Sequence, residues 1–288
     1  MTSIRWLALT FVVCGLHHAA HLRAADAAES VDTLINQAAE AFDKGKREEG
    51  FALCARAIQA DPKSVKAYFV RGRFYSMDRQ FEKAIADYDE ALKLDPKAAM
   101  VYQQRGLERF KLARIEESVA DFDKYIELVP QEAANHWQRG IACYYAKAYA
   151  AGRRQFELHQ TVNPDDVENA VWHFLCVARG ASVEKARESL MKITEDPRVP
   201  MMQIYAFFGG KGSAEDVLAS AKAGNPPPAV LKQRLFYAHL YIGLYHEAAG
   251  NDKEAREHIF KAADEYGMEN PMGDVARVHA VLIRKQKP

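Results

Sequence analysis

The chain has 288 residues, 49% hydrophobic and 27% charged, with 39 Lys+Arg balanced by 39 Asp+Glu. Charges of both signs are interspersed, so no basic stripe tracks a phosphate backbone, which argues against nucleic acid as a partner. Four cysteines in a chain of this length do not make a disulfide framework.

The first element is a leader. Met1–Arg5 carries one positive charge, Trp6–Leu16 is almost wholly apolar, and Ala24-Ala25-Asp26-Ala27 supplies an Ala-x-Ala cleavage site. These are the n-region, h-region and cleavage site of a secretory signal peptide over residues 1–27, and they predict export to the periplasm or the extracellular space. The apolar run is shorter than the roughly 20 residues a spanning helix needs, and His17, His18 and His21 interrupt its far end. An uncleaved amphipathic anchor is the bland alternative. Val13 before Cys14 replaces the small residue that normally precedes a lipidated cysteine, which argues against a lipid anchor. Cleavage after Ala27 leaves 37 basic and 38 acidic residues, and no later stretch is long and apolar enough to span a membrane.

Pro62, Pro96, Pro130 and Pro164 stand 34 residues apart. A constant period with matching residues inside it means one supersecondary unit, repeated and stacked. With each proline numbered 32 in its unit, the units begin at Val31, Val65, Ala99 and Ala133. Position 8 is Ala38, Gly72, Gly106 and Gly140, and position 20 is Gly50, Ala84, Ser118 and Gly152. Position 24 is Cys54, Tyr88, Phe122 and Phe156, and position 27 is Ala57, Ala91, Tyr125 and His159. Small residues fall where helices touch and bulky ones where the gap is filled. The spacing predicts a helical hairpin per unit, in the second from Val65 to Met77 and from Phe81 to Leu94, ended at Asp95-Pro96 because proline cannot continue a helix. Arg71, Arg105 and Arg139 recur beside position 8. The reading preferred for them is structural, stems covering apolar surface and guanidinium groups reaching water or a carboxylate.

The second unit, with Tyr68, Gly72, Tyr75, Phe81, Ala84, Tyr88, Ala91 and Pro96, resembles the tetratricopeptide repeat (TPR) family. The third and fourth units depart at position 11, with Arg109 and Cys143, and the fourth at position 27, with His159. The resemblance implies an all-α, right-handed TPR superhelix, an α-solenoid whose concave face is lined by the first helix of each hairpin. Carried onto this chain, it nominates Phe69, Arg73, Gln103, Leu107, Phe110, Lys111, Trp137, Ile141, Tyr144 and Tyr145 as a partner-binding groove. These positions are heavily aromatic and aliphatic, which marks a surface for a partner. The alternative is that Trp137, Tyr144 and Tyr145 are covered by the chain's own C-terminal half. Ala39 stands where the family's carboxylate clamp needs Asn, so capture of a C-terminal carboxylate is not expected.

After the four hairpins of 28–166 the regularity fades. Residues 167–228 read as a degenerate hairpin (Val167–Arg179, Val183–Ile193), a short apolar segment Met201–Phe208 and a helix opened by a capping box at Ser213, with a break at Gly224–Pro228. In 229–288, Gly243, Gly250, Ala255, Ile259 and Ala262 recover positions 8, 15, 20, 24 and 27, and Met272–Lys285 predicts a capping helix. This arrangement is similar to a subgroup of exported bacterial TPR lipoproteins called new lipoprotein I, through Arg139–Tyr145, Asn163–Asp166, Ala170–Leu175 and Tyr241–Tyr245. That likeness implies an envelope adaptor docking proteases and cell-wall hydrolases.

No motif carries chemistry. His246-Glu247 begins a zincin signature, but Gly250 stands where its second histidine belongs, and Gly209–Ser213 has Gly212 between Lys211 and Ser213, which breaks a phosphate loop. Cys143 and Cys176, 33 residues apart, are read as buried thiols rather than a disulfide. No cofactor or metal is expected. The function expected is a non-catalytic scaffold binding protein or peptide partners. The alternatives are a small-molecule or peptide sensor with a pocket between the repeats and the C-terminal half, and an unrecognised hydrolase around His173 and His239.

Overall fold

The computed structural model describes residues 29–285, and among these there is no strand. The leader expected over residues 1–27 lies outside them. The chain divides into two compact units between Ala67 and Tyr68.

The first unit holds one hairpin, α1 (Val31–Asp43) and α2 (Arg47–Ala60). Ser30 caps α1 by accepting from the Thr33 N–H at 3.1 Å. Leu34, Ile35, Ala38, Ala41 and Phe42 meet Leu53, Cys54 and Ala57 in its core. Phe42 packs edge-on against Phe51 with ring centroids 5.7 Å apart.

Helix α3 (Val65–Met77) crosses the boundary, and the second unit continues with α4 (Phe81–Leu94), α5 (Ala99–Lys111) and α6 (Ile115–Leu128). The fourth and fifth hairpins follow as α7 (Trp137–Tyr145) with α8 (Tyr149–His159) and α9 (Val167–Gly180) with α10 (Val183–Glu188). Both helices of the second repeat run as the spacing predicts. One turn design joins the paired helices. Arg79, Ala113, Lys147 and Gly250 all have positive φ, from 56° to 79°. After each, an N–H reaches back to close the preceding helix, as in Arg114 to Arg109 O at 2.8 Å and Asn251 to His246 O at 2.8 Å. This is the Schellman arrangement, and it needs a left-handed residue that only glycine adopts without strain.

The 34-residue pattern is a packing rule. A Cβ on Gly72, Gly106 or Gly140 would stand 2.6 Å from the ring of Tyr88, Phe122 or Phe156, each 16 residues on. The recurrent arginines brace the same joints. Arg71 grips Asp87 through two bonds of 2.7 and 2.8 Å, and Arg105 grips Asp121 at 2.6 and 3.0 Å while reaching Asp89 of the preceding hairpin at 2.6 Å. Arg139 finds Gln155 where the second and third repeats have aspartate, and pairs with Asp123 instead.

The fourth repeat opens differently, and its own departures explain why. Gln155 Nε2 donates to Ala133 O at 2.6 Å and His159 Nδ1 to Ala134 O at 2.8 Å. Both carbonyls lie in the turn that precedes α7, and Ala133 O also accepts from the His136 N–H at 3.4 Å. Pro130–Asn135 is a 3₁₀ turn instead, and α7 starts only at Trp137.

Beyond α9, α10 stops at Glu188, five residues before the predicted end. The chain has no helix from there to Met201, with Thr194 N–H donating to Asp165 at 2.7 Å and Asp196 accepting from Val167 N–H at 3.4 Å. Then come α11 (Met201–Phe208) and α12 (Ala214–Lys222), the latter opened by the Ser213–Asp216 capping box. The glycine stretch before it is a helix-ending turn, with Gly210 at φ +73°. Helix α13 (Pro228–Ala248) pairs with α14 (Asp252–Phe260), and a π turn over Lys261–Glu265 leads to α15 (Pro271–Lys285). A single core runs through the second unit from Phe110 to Ile283. No helix among the described residues is long and apolar enough to cross a membrane.

Candidate functional site

Helix α15 returns to the repeats and packs against α5. Its Val275, Val278 and Ile283 are buried in the core that also holds Phe110, Ile141 and Tyr144. The inner face of the fourth repeat, and of the third at its Phe110 end, is therefore not open. Phe110, Ile141 and Tyr144 are 8%, 2% and 4% exposed, where an open groove was the favoured expectation. The alternative, cover by the chain's own C-terminal half, describes these positions.

The cover is fastened by polar contacts inside an aromatic cluster. Tyr145 OH shares a hydrogen bond of 2.9 Å with His279 Nδ1, and Tyr144 OH donates to Glu247 Oε2 at 3.0 Å. His279 Nε2 stands 3.5 Å from the other Glu247 oxygen. Phe110 meets Tyr145 edge-on at 5.6 Å, and Tyr144 meets Trp172 of α9 at 5.4 Å. Burial pushes the phenols of Tyr144 and Tyr145 well up and holds the His279 imidazole below its usual range. At the rim, Arg79 reaches Glu269 at 2.9 Å, and Arg277 holds Asp274 at 2.7 Å.

The remaining predicted residues divide. Lys111 is committed inward, to Glu108 at 3.0 Å and over the Phe81 ring at 5.0 Å, while Ser76 donates to the same carboxylate at 2.6 Å. Gln103 accepts from His136 Nε2. Phe69 and Leu107 are half-buried and Arg73 is exposed. Beside them stand Met77 and Met100, 57% and 51% exposed. Phe69, Arg73 and Met77 follow i, i+4, i+8 along α3, and Met100, Gln103 and Leu107 follow i, i+3, i+7 along α5, so each set lies on one helix face.

Trp137 stands between two neighbouring cavities. One, of about 250 Å³, lies between Leu107, Phe110 and Trp137 on the repeats and Pro271, Val275 and Arg277 on the returning segment. The other, of about 360 Å³, is walled by Trp137, Ile141 and Phe156 on the repeats, by Asn169 and Trp172 of α9, and by Tyr237 of α13. Sequence reasoning missed Asn169 and Trp172. The available signal was an asparagine at the head of a mostly apolar run, Ala170–Ala178, on a helix buried on all sides.

The histidines singled out from the sequence do not form a joint site. His173 Nε2 lies 3.5 Å from Glu157, whereas His239 Nδ1 meets His258 Nδ1 at 2.9 Å. Among the described residues no group of three or more His, Cys, Asp or Glu side chains is placed to hold a metal ion. Cys143 and Cys176 are buried thiols, not a disulfide, and burial pushes both up.

Residues 65–98 match the tetratricopeptide repeat profile. This is a tetratricopeptide-repeat fold. The chain is similar to the crystal structure of a tetratricopeptide repeat protein from Parabacteroides merdae, with a TM-score of 0.58 and 16% identity, over 87% of this chain and 98% of that one. It is also similar to the crystal structure of MamA protein, with a TM-score of 0.52 and 14% identity, over 68% of this chain and 97% of that one. At such identities the likeness is one of fold alone. A search of curated proteins found no match.

Proposed function

We propose that the chain is a non-catalytic adaptor, exported to the bacterial cell envelope, that holds a segment of a partner protein against the inner face of α3 and α5. The observation that carries this reading is the pair of exposed methionines, Met77 and Met100, beside Phe69, Leu107 and Arg73 on those two helices. Large apolar side chains left in water on adjoining repeats mark a contact surface, and methionine adapts its shape to what it meets. Arg73 orients a partner carboxylate at the edge of the patch. A tetratricopeptide repeat occupies 65–98, which includes Phe69, Arg73 and Met77, and supports a binding rather than a chemical role. Export rests on the leader sequence. Envelope proteases and cell-wall hydrolases as partners rest on the likeness of the second half to exported TPR lipoproteins.

The test is capture of partners from an envelope fraction by the mature protein and by a Met77→Glu, Met100→Glu double variant. Both positions are solvated, so folding should change by no more than about 0.5 kcal/mol per site. Loss of the captured proteins with an unchanged melting curve is expected. Equal capture by both forms would sink the reading. Export is checked by the N-terminal sequence of the mature protein recovered from the producing cell, expected to begin just after the Ala24–Ala27 stretch.

A further inference from the structure

We infer that Met77 and Met100 are a reversible oxidation site, and that a peroxide, by turning their thioethers into sulfoxides, releases the partner held on α3 and α5. The inference rests on the adaptor reading of that face and adds its regulation. Seven methionines lie among the described residues. Only Met77 and Met100 are exposed, at 57% and 51%, whereas Met201 and Met272 are buried, at 2% and 6%. Met191, Met202 and Met268 are half-buried, and the Met191 sulfur accepts from Asn169 Nδ2 at 3.6 Å. The remaining sulfur atoms, in Cys54, Cys143 and Cys176, belong to side chains 0%, 0% and 1% exposed. Susceptibility to oxidation follows exposure, and so does access to a dissolved oxidant. Among the described residues, a peroxide therefore meets solvated sulfur at Met77 and Met100, and both belong to the surface assigned to the partner.

The step balances. A lone pair on the methionine sulfur attacks one oxygen of hydrogen peroxide. The S–O bond forms as the O–O bond breaks, and the departing hydroxide takes the proton of the transferred oxygen to give water. Sulfur loses two electrons and the peroxide gains them. Reversal uses a dithiol reductase, whose two thiols become a disulfide while the sulfoxide oxygen leaves as water. The side chain keeps its carbon skeleton but carries a polar acceptor oxygen where an apolar sulfur stood. A partner that buries this side chain must strip water from the new oxygen or leave it unmet. In the free protein both side chains stand largely in water, so the folded chain buries no new polar group. Oxidation thus acts on binding and leaves folding unchanged.

The experiment treats the mature protein with hydrogen peroxide and follows its peptides by mass spectrometry. The peroxide is then removed, a portion is incubated with methionine sulfoxide reductases for both sulfoxide epimers, and each form is offered the envelope fraction. Met77 and Met100 should each gain one oxygen at least about fivefold faster than Met191, Met202 or Met268. Capture by the oxidised protein should fall by at least about tenfold with an unchanged melting curve, and should return after the reductases. A Met77→Leu, Met100→Leu double variant keeps size and apolarity without an oxidisable sulfur, and should capture the same proteins before and after peroxide. Oxidation of all methionines at one rate, undiminished capture by the fully oxidised protein, capture that stays lost after the reductases, or equal peroxide sensitivity in the leucine variant overturns the inference and leaves the adaptor reading standing. Recovery after the reductases decides the matter even if the leucine variant binds poorly. No capture by the untreated protein would instead sink the adaptor reading, and the switch with it.

Discussion

Gly106 leaves 2.6 Å between the place of a would-be Cβ and the Phe122 ring, so Gly106→Ala should overpack the third hairpin and cost about 1–3 kcal/mol. Ala113, seven residues on, is the reverse case. It holds φ at +56°, where an L side chain is strained, so Ala113→Gly should raise stability by roughly 0.5–1 kcal/mol. Denaturant melts of the two variants check both signs. His136 supplies a third residue-scale expectation. Its Nδ1 accepts from the Arg139 N–H at 3.2 Å and caps α7, while Nε2–H points to Gln103. This geometry uses the neutral ring, and burial pulls its pKa from 6.5 down to about 4. As pH falls from 6.5 towards 4, the unfolded chain takes up a proton that the folded one refuses. Stability from this group is complete above 6.5, declines through that window, and is lower by on the order of 3 kcal/mol below it. Melting curves between pH 7 and pH 4 should show the decline, and His136→Asn, which keeps a capping oxygen without a titrating ring, should flatten it. An equal slope in the variant would assign the acid sensitivity elsewhere, first to His239, whose pKa is also near 4 through burial and the adjacent His258.

At the scale of the helix, α15 decides what the repeats present. Tyr145→Phe removes the bond to His279 and leaves a nearly sealed imidazole with less satisfaction, which should cost about 1–3 kcal/mol with helical circular dichroism retained. A melting point unchanged by Tyr145→Phe would mean that the latch contributes nothing. The hairpins themselves were legible in the sequence, because a fixed 34-residue period repeats the same steric problem, glycine under a ring, and only one packing solves it. The cover was not. An apolar residue at an inner-face position satisfies the same pattern whether a stranger or the chain's own helix lies on it, and periodicity has no term for the difference. The shortened start of α7 was written in Gln155 and His159, but their effect depends on carbonyls that only the folded chain brings within reach. Asn169 and Trp172 went unread for a related reason: a buried polar atom announces itself only once its neighbours are known.

For the molecule as a whole, the two units differ in how much core they own. The first buries one short hairpin, whereas the second shares one apolar interior from Phe110 to Ile283. Stability in repeat arrays is distributed by neighbour, so hydrogen exchange should be fastest in α1 and α2 and slowest in α9 and α13. Uniform protection across the chain would contradict this.

The buried sulfur atoms turn that difference into something a chemist can time. Cys54 belongs to the first unit, and Cys143 and Cys176 to the interior of the second. A thiol packed this deeply reacts with an alkylating reagent only when its surroundings part, so each labelling rate becomes a clock for one region's breathing. The native sequence thus carries its own stopwatches, with no engineered cysteine needed.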